Sequence, residues 1–201
     1  MKIVTFGDSL TVGFQSPSAE YPDGISTPYG QFLQKLLGPS AEVIVSGLNG
    51  ELTGEMAMRL GRDVIAAKPD YVVILGGAND LGWNARPAEI MRNLVTMYER
   101  CRGASIQPVA VTVPSIRGAD SLIPPRQALN RLIAEYCQAK PQPMVDLFHA
   151  TAEPDIPRPA DDYSVPRLAA DYSNDGLHLT TAGYRLLADL LYRDVLAARA
   201  Q

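Results

Sequence analysis

Short β-branched, apolar runs alternate with longer stretches of helical period along the whole 201-residue chain, and this alternation limits the fold more than any other feature. The runs fall at residues 2–6, 42–45, 71–75, 109–113 and 144–147, and the helical stretches at 28–37, 54–67, 87–102, 125–139 and 181–199. The runs are apolar on both alternations, as expected of strands covered on both faces. Strands each followed by a helix predict a parallel sheet with right-handed crossovers and helices on either side. The expected fold is therefore α/β: a three-layer α/β/α sandwich with a five-stranded parallel sheet. Helix starts carry their own marks. Thr27 offers a hydroxyl at the cap with Pro28 at the first helical position, and Pro87 and Pro125 open their helices in the same way. In the third helix Ile90, Leu94, Met97 and Cys101 share one apolar face. No repeat and no linker divides the chain, so residues 1–201 read as one domain. The least regular stretch, 149–174, carries Pro154, Pro157, Pro159 and Pro166, and so long a connection is usually functional.

Composition mainly excludes. The chain is 46% hydrophobic and 20% charged, so it can bury a full core and is not low-complexity. A net charge of −4 argues against a nucleic-acid or anionic-membrane partner, which would need clustered Lys and Arg. The same charge gives no reason to expect a polyanionic substrate. The longest apolar runs, such as 71–75 and 109–113, fall far short of the roughly 20 residues of a bilayer span. Cys101 and Cys137 lie in helical stretches without CxxC spacing and read as small buried apolar residues. Met1-Lys2 runs straight into the first strand with no signal-like segment, so the default location is the cytoplasm. With only His149 and His178, histidine-rich metal chemistry is closed and a histidine base has two candidates.

In an open parallel sheet, ligands bind beyond the carboxyl ends of the strands. Strand one is followed by Gly7-Asp8-Ser9-Leu10-Thr11, strand two by Gly47-Leu48-Asn49-Gly50-Glu51, and strand three by Gly76-Gly77-Ala78-Asn79-Asp80. Asp175-Gly176-Leu177-His178 stands just before the last helix. A serine hydroxyl needs a base, and a histidine base needs a partner on its second ring nitrogen. In a helical turn Asp175 and His178 would share a face. An oxyanion needs preorganised donors, and Gly50 N–H, the Asn79 amide and Ser9 N–H are available. The set holds a nucleophile, a base, an orienter and an oxyanion hole, and its chemistry needs neither metal nor organic cofactor.

Gly7-Asp8-Ser9-Leu10 resembles the signature of the GDSL, or SGNH, hydrolases, serine esterases and lipases on a flavodoxin-like sheet. Gly47-Leu48-Asn49-Gly50 resembles that family's glycine block, Gly77-Ala78-Asn79-Asp80 its GxND block, and Asp175-Gly176-Leu177-His178 its DxxH block. Thr180-Thr181-Ala182-Gly183-Tyr184 resembles the start of its last helix. The resemblance implies Ser9 as nucleophile, Asp175 and His178 as the rest of a triad, and Ser9, Gly50 and Asn79 as the oxyanion hole, with Gly47 as the alternative glycine. It implies hydrolysis of small-molecule esters of short-chain acyl groups through an acyl-serine, with a thioesterase, a lysophospholipase, a carbohydrate acetylesterase or a non-catalytic acyl- or carbohydrate-binding module as the alternatives, and it sets no oligomeric state. Many members carry Asn before the glycine block, where this chain has Val45-Ser46.

Other residues take plainer readings. Asp80 is expected to hold its loop. His149 is given no acid at helical spacing and reads as structural or as a minor pocket residue, with Asp146 a strand-end hydrogen-bonding residue. Phe14, Trp83, Tyr163 and Tyr172 either line a cleft or pack down. Residues 14–27, 114–123 and 149–174 are expected to form the pocket walls. No GxSxG, GxxxxGK[ST], HExxH or post-strand GxGxxG occurs. A receiver domain would also place an aspartate where Asp80 stands, but it lacks its acidic pair and lysine here.

Overall fold

The computed structural model describes residues 1–19, 21–153 and 166–197. Strand β1 (Lys2–Gly7) leads into a one-turn helix α1 (Ser9–Val12), and two short strands, β2 (Phe14–Gln15) and β3 (Ile25–Ser26), pair antiparallel after it. Then follow α2 (Tyr29–Leu37), β4 (Glu42–Gly47), α3 (Thr53–Leu60), β5 (Tyr71–Leu75), α4 (Ala78–Gly82), α5 (Pro87–Gly103) and β6 (Gln107–Val111). The rest of the described chain is α6 (Ile123–Ala139), β7 (Met144–Val145), α7 (Leu147–Ala150) and α8 (Thr181–Leu191). The main sheet has the order β4-β1-β5-β6-β7 with every pair parallel. That is the doubly wound, flavodoxin-like order, with its switch point between β1 and β5. The five-stranded parallel sheet expected from the alternation is present. Helix α2 packs on α8, while α3 packs on α5 and α5 on α6.

Burial follows from sequence. All five residues of β5 are buried, the double coverage that its unbroken apolar run requires. Each such side chain contributes about 1.5–3 kcal/mol when fully removed from water. Ile90, Leu94, Met97 and Cys101 all point from α5 into the same core. Cys101 and Cys137 are free and buried, and burial pushes both thiols up to about 11. Among the described residues no helix is long and apolar enough to cross a membrane.

Several boundary expectations are corrected, among them the fifth run, which is strand only over Met144–Val145 with Leu147 already in α7. Pro28 occupies the cap of α2 rather than its first turn, and no side chain caps that helix. Thr27 is used elsewhere: its hydroxyl accepts a hydrogen bond from Gln15 Nε2 at 2.6 Å. Helix α6 begins at Ile123, two residues before Pro125. The fourth run forms strand over Gln107–Val111, so Thr112 and Val113 lie past its end. Pro154, Pro157, Pro159 and Tyr163 lie outside the described residues.

Candidate active site

The turn after β1 is built by close approach. A Cβ at Gly7 would lie 2.1 Å from the Leu75 carbonyl oxygen and 2.4 Å from Thr11 Oγ1, so only glycine fits where β1 meets β5. Asp8 caps α1, its Oδ1 accepting from the Leu10 N–H at 3.0 Å. Ser9 is thereby the first residue of α1, nearly buried, at the switch point of the sheet.

Ser9 Oγ lies 3.2 Å from His178 Nε2, and His178 Nδ1 lies 2.8 Å from Asp175 Oδ2. The last contact does not come from a helical turn, because α8 starts later, with Thr180 as its cap. Instead Asp175 Oδ1 accepts the backbone N–H groups of Leu177 and His178, both at 2.8 Å, and this tight turn fixes the imidazole against the carboxylate. The Ser16 hydroxyl donates to Asp175 Oδ2, and the Phe14 ring meets the imidazole edge-on at 4.7 Å. Both come from the β2–β3 hairpin region, which sequence reasoning did not resolve. The hairpin is pinned by Gln15, whose amide joins Thr27 and Thr181 Oγ1, the latter at 2.9 Å. Tyr184 Oη donates to the Phe14 carbonyl at 2.8 Å.

Asn79 Nδ2 donates to the Glu51 carbonyl at 3.0 Å and, at the longer distance of 3.5 Å, to Asp8 Oδ2. The amide carries a second hydrogen. Gly50, at φ +76°, is exposed in the turn beyond β4. Gly47 is instead a packing glycine: a Cβ there would lie 2.6 Å from the Val12 nitrogen. Asp80 holds its loop as expected, accepting from the Thr53 N–H at 3.0 Å and the Thr53 hydroxyl at 2.6 Å. Sequence reasoning missed Arg59. Only 8% exposed, it binds Glu51 at 2.6 Å, Asp63 at 3.0 Å and the Gly7 carbonyl at 3.0 Å, tying the ends of β1 and β4 to the loop that carries Gly50 and Glu51.

The carboxyls on either side of Ser9 and His178 have titrations displaced in opposite directions. Burial pushes Asp8 up to about 7, helped by the charges of Asp80 and Glu51 and opposed by the Leu10 N–H and His178. Asp175 is also pushed up by burial, but hydrogen bonds from His178, Ser16 and the Leu177 and His178 N–H groups outweigh that and hold it well below the usual carboxylate range. Asp175 therefore stays an acceptor at neutral pH.

The reading of His149 needs correction. Asp146 stands three residues before it, caps α7 and holds His149 Nδ1 at 2.7 Å, so the chain has two Asp-x-x-His pairs. The loop aromatics divide. Phe14 touches His178, Tyr172 packs against the core, and Trp83 is 80% exposed beside Asn79. Of the expected pocket walls, 114–123 contributes Ile116 and Leu122 to a cavity there.

The model of the GDSL-like lipase/acylhydrolase family matches residues 5–186. The chain belongs to this family. An acetylxylan esterase of Geobacillus stearothermophilus is 28% identical over 130 residues, covering 61% of this chain and 59% of that protein. An arylesterase of Vibrio mimicus is 30% identical over 118 residues, covering 56% of each. The chain thus spans little more than half the length of the curated relatives it matches. A lipase/acylhydrolase from Enterococcus faecalis superposes with a TM-score of 0.76 at 28% identity, covering 98% of this chain and 96% of that one.

Proposed function

We propose that this GDSL-family chain, acting as one domain, hydrolyses carboxylic esters of small, short-chain acyl groups through an acyl-serine intermediate. The observation that carries the reading is the unbroken contact line from Asp175 through His178 to Ser9, 2.8 and 3.2 Å long, at the switch point of the sheet. His178 Nε2 takes the Ser9 proton as Oγ attacks the ester carbonyl. Asp175 holds the imidazole in the tautomer that presents a lone pair to Ser9 and stabilises the imidazolium that forms. The tetrahedral oxyanion is met by the N–H groups of Ser9 and Gly50 and by the Asn79 amide, whose weaker contact, to Asp8 Oδ2 at 3.5 Å, gives way to it. Removing one such donor typically costs about 2.7–4 kcal/mol. His178 then protonates the leaving alcohol, and water repeats the sequence to release the acid.

Acetylated carbohydrates are a second reading, supported by the likeness to a protein named acetylxylan esterase. A non-catalytic acyl- or carbohydrate-binding module would use the same cleft without turnover. A fluorophosphonate probe separates enzyme from module: one equivalent bound at Ser9 is expected, and no labelling overturns the hydrolase reading. In parallel, Ser9→Ala should lower kcat/KM for p-nitrophenyl butyrate by about 10⁴-fold or more with an unchanged circular dichroism spectrum.

A further inference from the structure

A cavity of about 300 Å³ opens beside Asn79, walled by Trp83, Ile116, Leu122 and Leu177. Apart from Asn79, one polar side chain lines it, and that side chain is Arg126. Arg126 is only 1% exposed. Its Nη1 donates to the Leu122 carbonyl at 3.2 Å, but its Nε has no partner, and among the described residues no carboxylate pairs with it. Arg59, the other deeply buried arginine, is met by both Glu51 and Asp63. The two show what a structural arginine looks like in this fold and what Arg126 lacks.

Its location offers no compensating benefit. Arg126 sits in the first turn of the 17-residue α6, where the helix dipole favours anions and opposes a cation. Burial lowers the guanidinium to about 10, which still leaves it charged at neutral pH. An unpaired buried cation is strongly unfavourable, and an anion that joins it removes much of that penalty. The guanidinium presents a planar fork of donors that matches a carboxylate with two parallel hydrogen bonds. One cation in a small cavity with otherwise apolar walls suits a single negative charge better than a phosphate dianion. The chain's net charge of −4 does not oppose this, because exposed charges are screened over about 8–10 Å whereas Arg126 acts at contact.

We propose that Arg126 anchors a carboxylate on the substrate, so that the site takes monoanionic esters, with the charged group in the cavity beside Asn79. This rests on the hydrolase reading above and narrows its substrate class. The test compares matched esters: p-nitrophenyl hexanoate against the p-nitrophenyl half-ester of adipic acid for the acyl side, and phenyl acetate against 4-acetoxybenzoate for the alcohol side. Each kcat/KM is divided by the rate of hydroxide hydrolysis of the same ester. In one of the two pairs the anionic member should lead by about 10- to 100-fold, the range of a charge-assisted hydrogen bond. Arg126→Met should collapse that ratio toward unity and Arg126→Lys should keep part of it. Equal or inverted ratios in both pairs, or a ratio that Arg126→Met leaves intact, overturn the proposal. Arg126→Met should melt no lower than the parent protein, since it removes an unpaired charge. Should it fail to fold, the Lys variant and the parent ratios decide. If none of the four esters turns over, the hydrolase reading fails instead. Thermal stabilisation of Ser9→Ala by monomethyl adipate but not by methyl hexanoate then still supports the carboxylate anchor, and equal shifts overturn it.

Discussion

The chain contains the same local device twice. Asp175 holds His178 Nδ1 at 2.8 Å, and Asp146 holds His149 Nδ1 at 2.7 Å, each across three residues. In both, the aspartate also accepts the backbone N–H of its own histidine. The two differ only in what surrounds them. Each imidazole also meets a phenylalanine ring edge-on, Phe14 for His178 and Phe148 for His149, but His178 is 17% exposed and has Ser9 Oγ on its free nitrogen. His149 is 75% exposed, and among the described residues its free nitrogen meets no hydroxyl. The hydroxyl nearest the second pair belongs to Thr112, but it is spent on Asp146 Oδ1 and the Phe148 N–H. Spacing makes a dyad; only the topology of the sheet gives it a nucleophile.

The largest effect should come from breaking each dyad at its histidine. His178→Ala is expected to lower kcat/KM for p-nitrophenyl butyrate by about 10⁴-fold, whereas His149→Ala should change it less than about threefold. Comparable losses from both would mean that the second pair serves the reaction and that the comparison is wrong. Next comes the acid. Asp175→Asn leaves the turn and removes the charge that stabilises the imidazolium, with an expected loss of about 10³-fold, while Asp146→Asn should be silent. Ser16→Ala probes the hydroxyl that reaches Asp175 Oδ2 from outside its own turn, the Ser173 hydroxyl on Oδ1 coming from within it. It should cost a few-fold in kcat with little change in KM; a pure KM effect would place Ser16 on the substrate instead.

The second dyad also marks where sequence reading succeeded and failed. The sheet was legible because unbroken apolar runs such as residues 71–75 have few other solutions, and its order then brings the ends of β1 and β5 together. Ser9, Asn79, Asp175 and His178 were legible as short blocks whose chemistry is carried by residue type. The Asp146–His149 pair has the same spacing, and spacing alone carries no information on which pair the fold brings to a hydroxyl. Arg59, Ser16 and Arg126 were not legible at all. Each acts across long sequence separations or through burial, and a charged residue inside a helical stretch reads as a solvated face until its surroundings are known. Asp80 was the easier case, since a carboxylate after a Gly-Gly turn has local backbone to hold.

A stability measurement sets the buried Asp80, in the loop that carries Asn79, against the exposed cap Asp146. Asp80 accepts both the amide and the hydroxyl of the buried Thr53, so Asp80→Ala leaves a buried donor without a partner. It should destabilise the protein by about 1–3 kcal/mol in urea unfolding, and Asp146→Ala, at an exposed cap, by about 1 kcal/mol.

The smallest expected effect concerns Asp8, the buried carboxyl that His178 faces and His149 does not. Its ionisation is raised from an ordinary 3.8 to about 7 in the folded protein. Between those two pH values the native state binds a proton that the unfolded chain has released, so stability from this group is complete below about pH 4 and is lost as pH rises through about 7. Asp8→Asn cannot lose that proton. The difference in melting temperature between variant and parent should therefore move in favour of the variant from pH 5 to pH 8, by a few degrees. Protonated His178 pulls the Asp8 titration down, so an uncharged His178→Gln should enlarge the pH-dependent loss, and His149→Gln should leave it as it is. An equal response to both histidine substitutions would show that the pH dependence comes from the exposed dyad and not from the buried carboxyl beside Ser9.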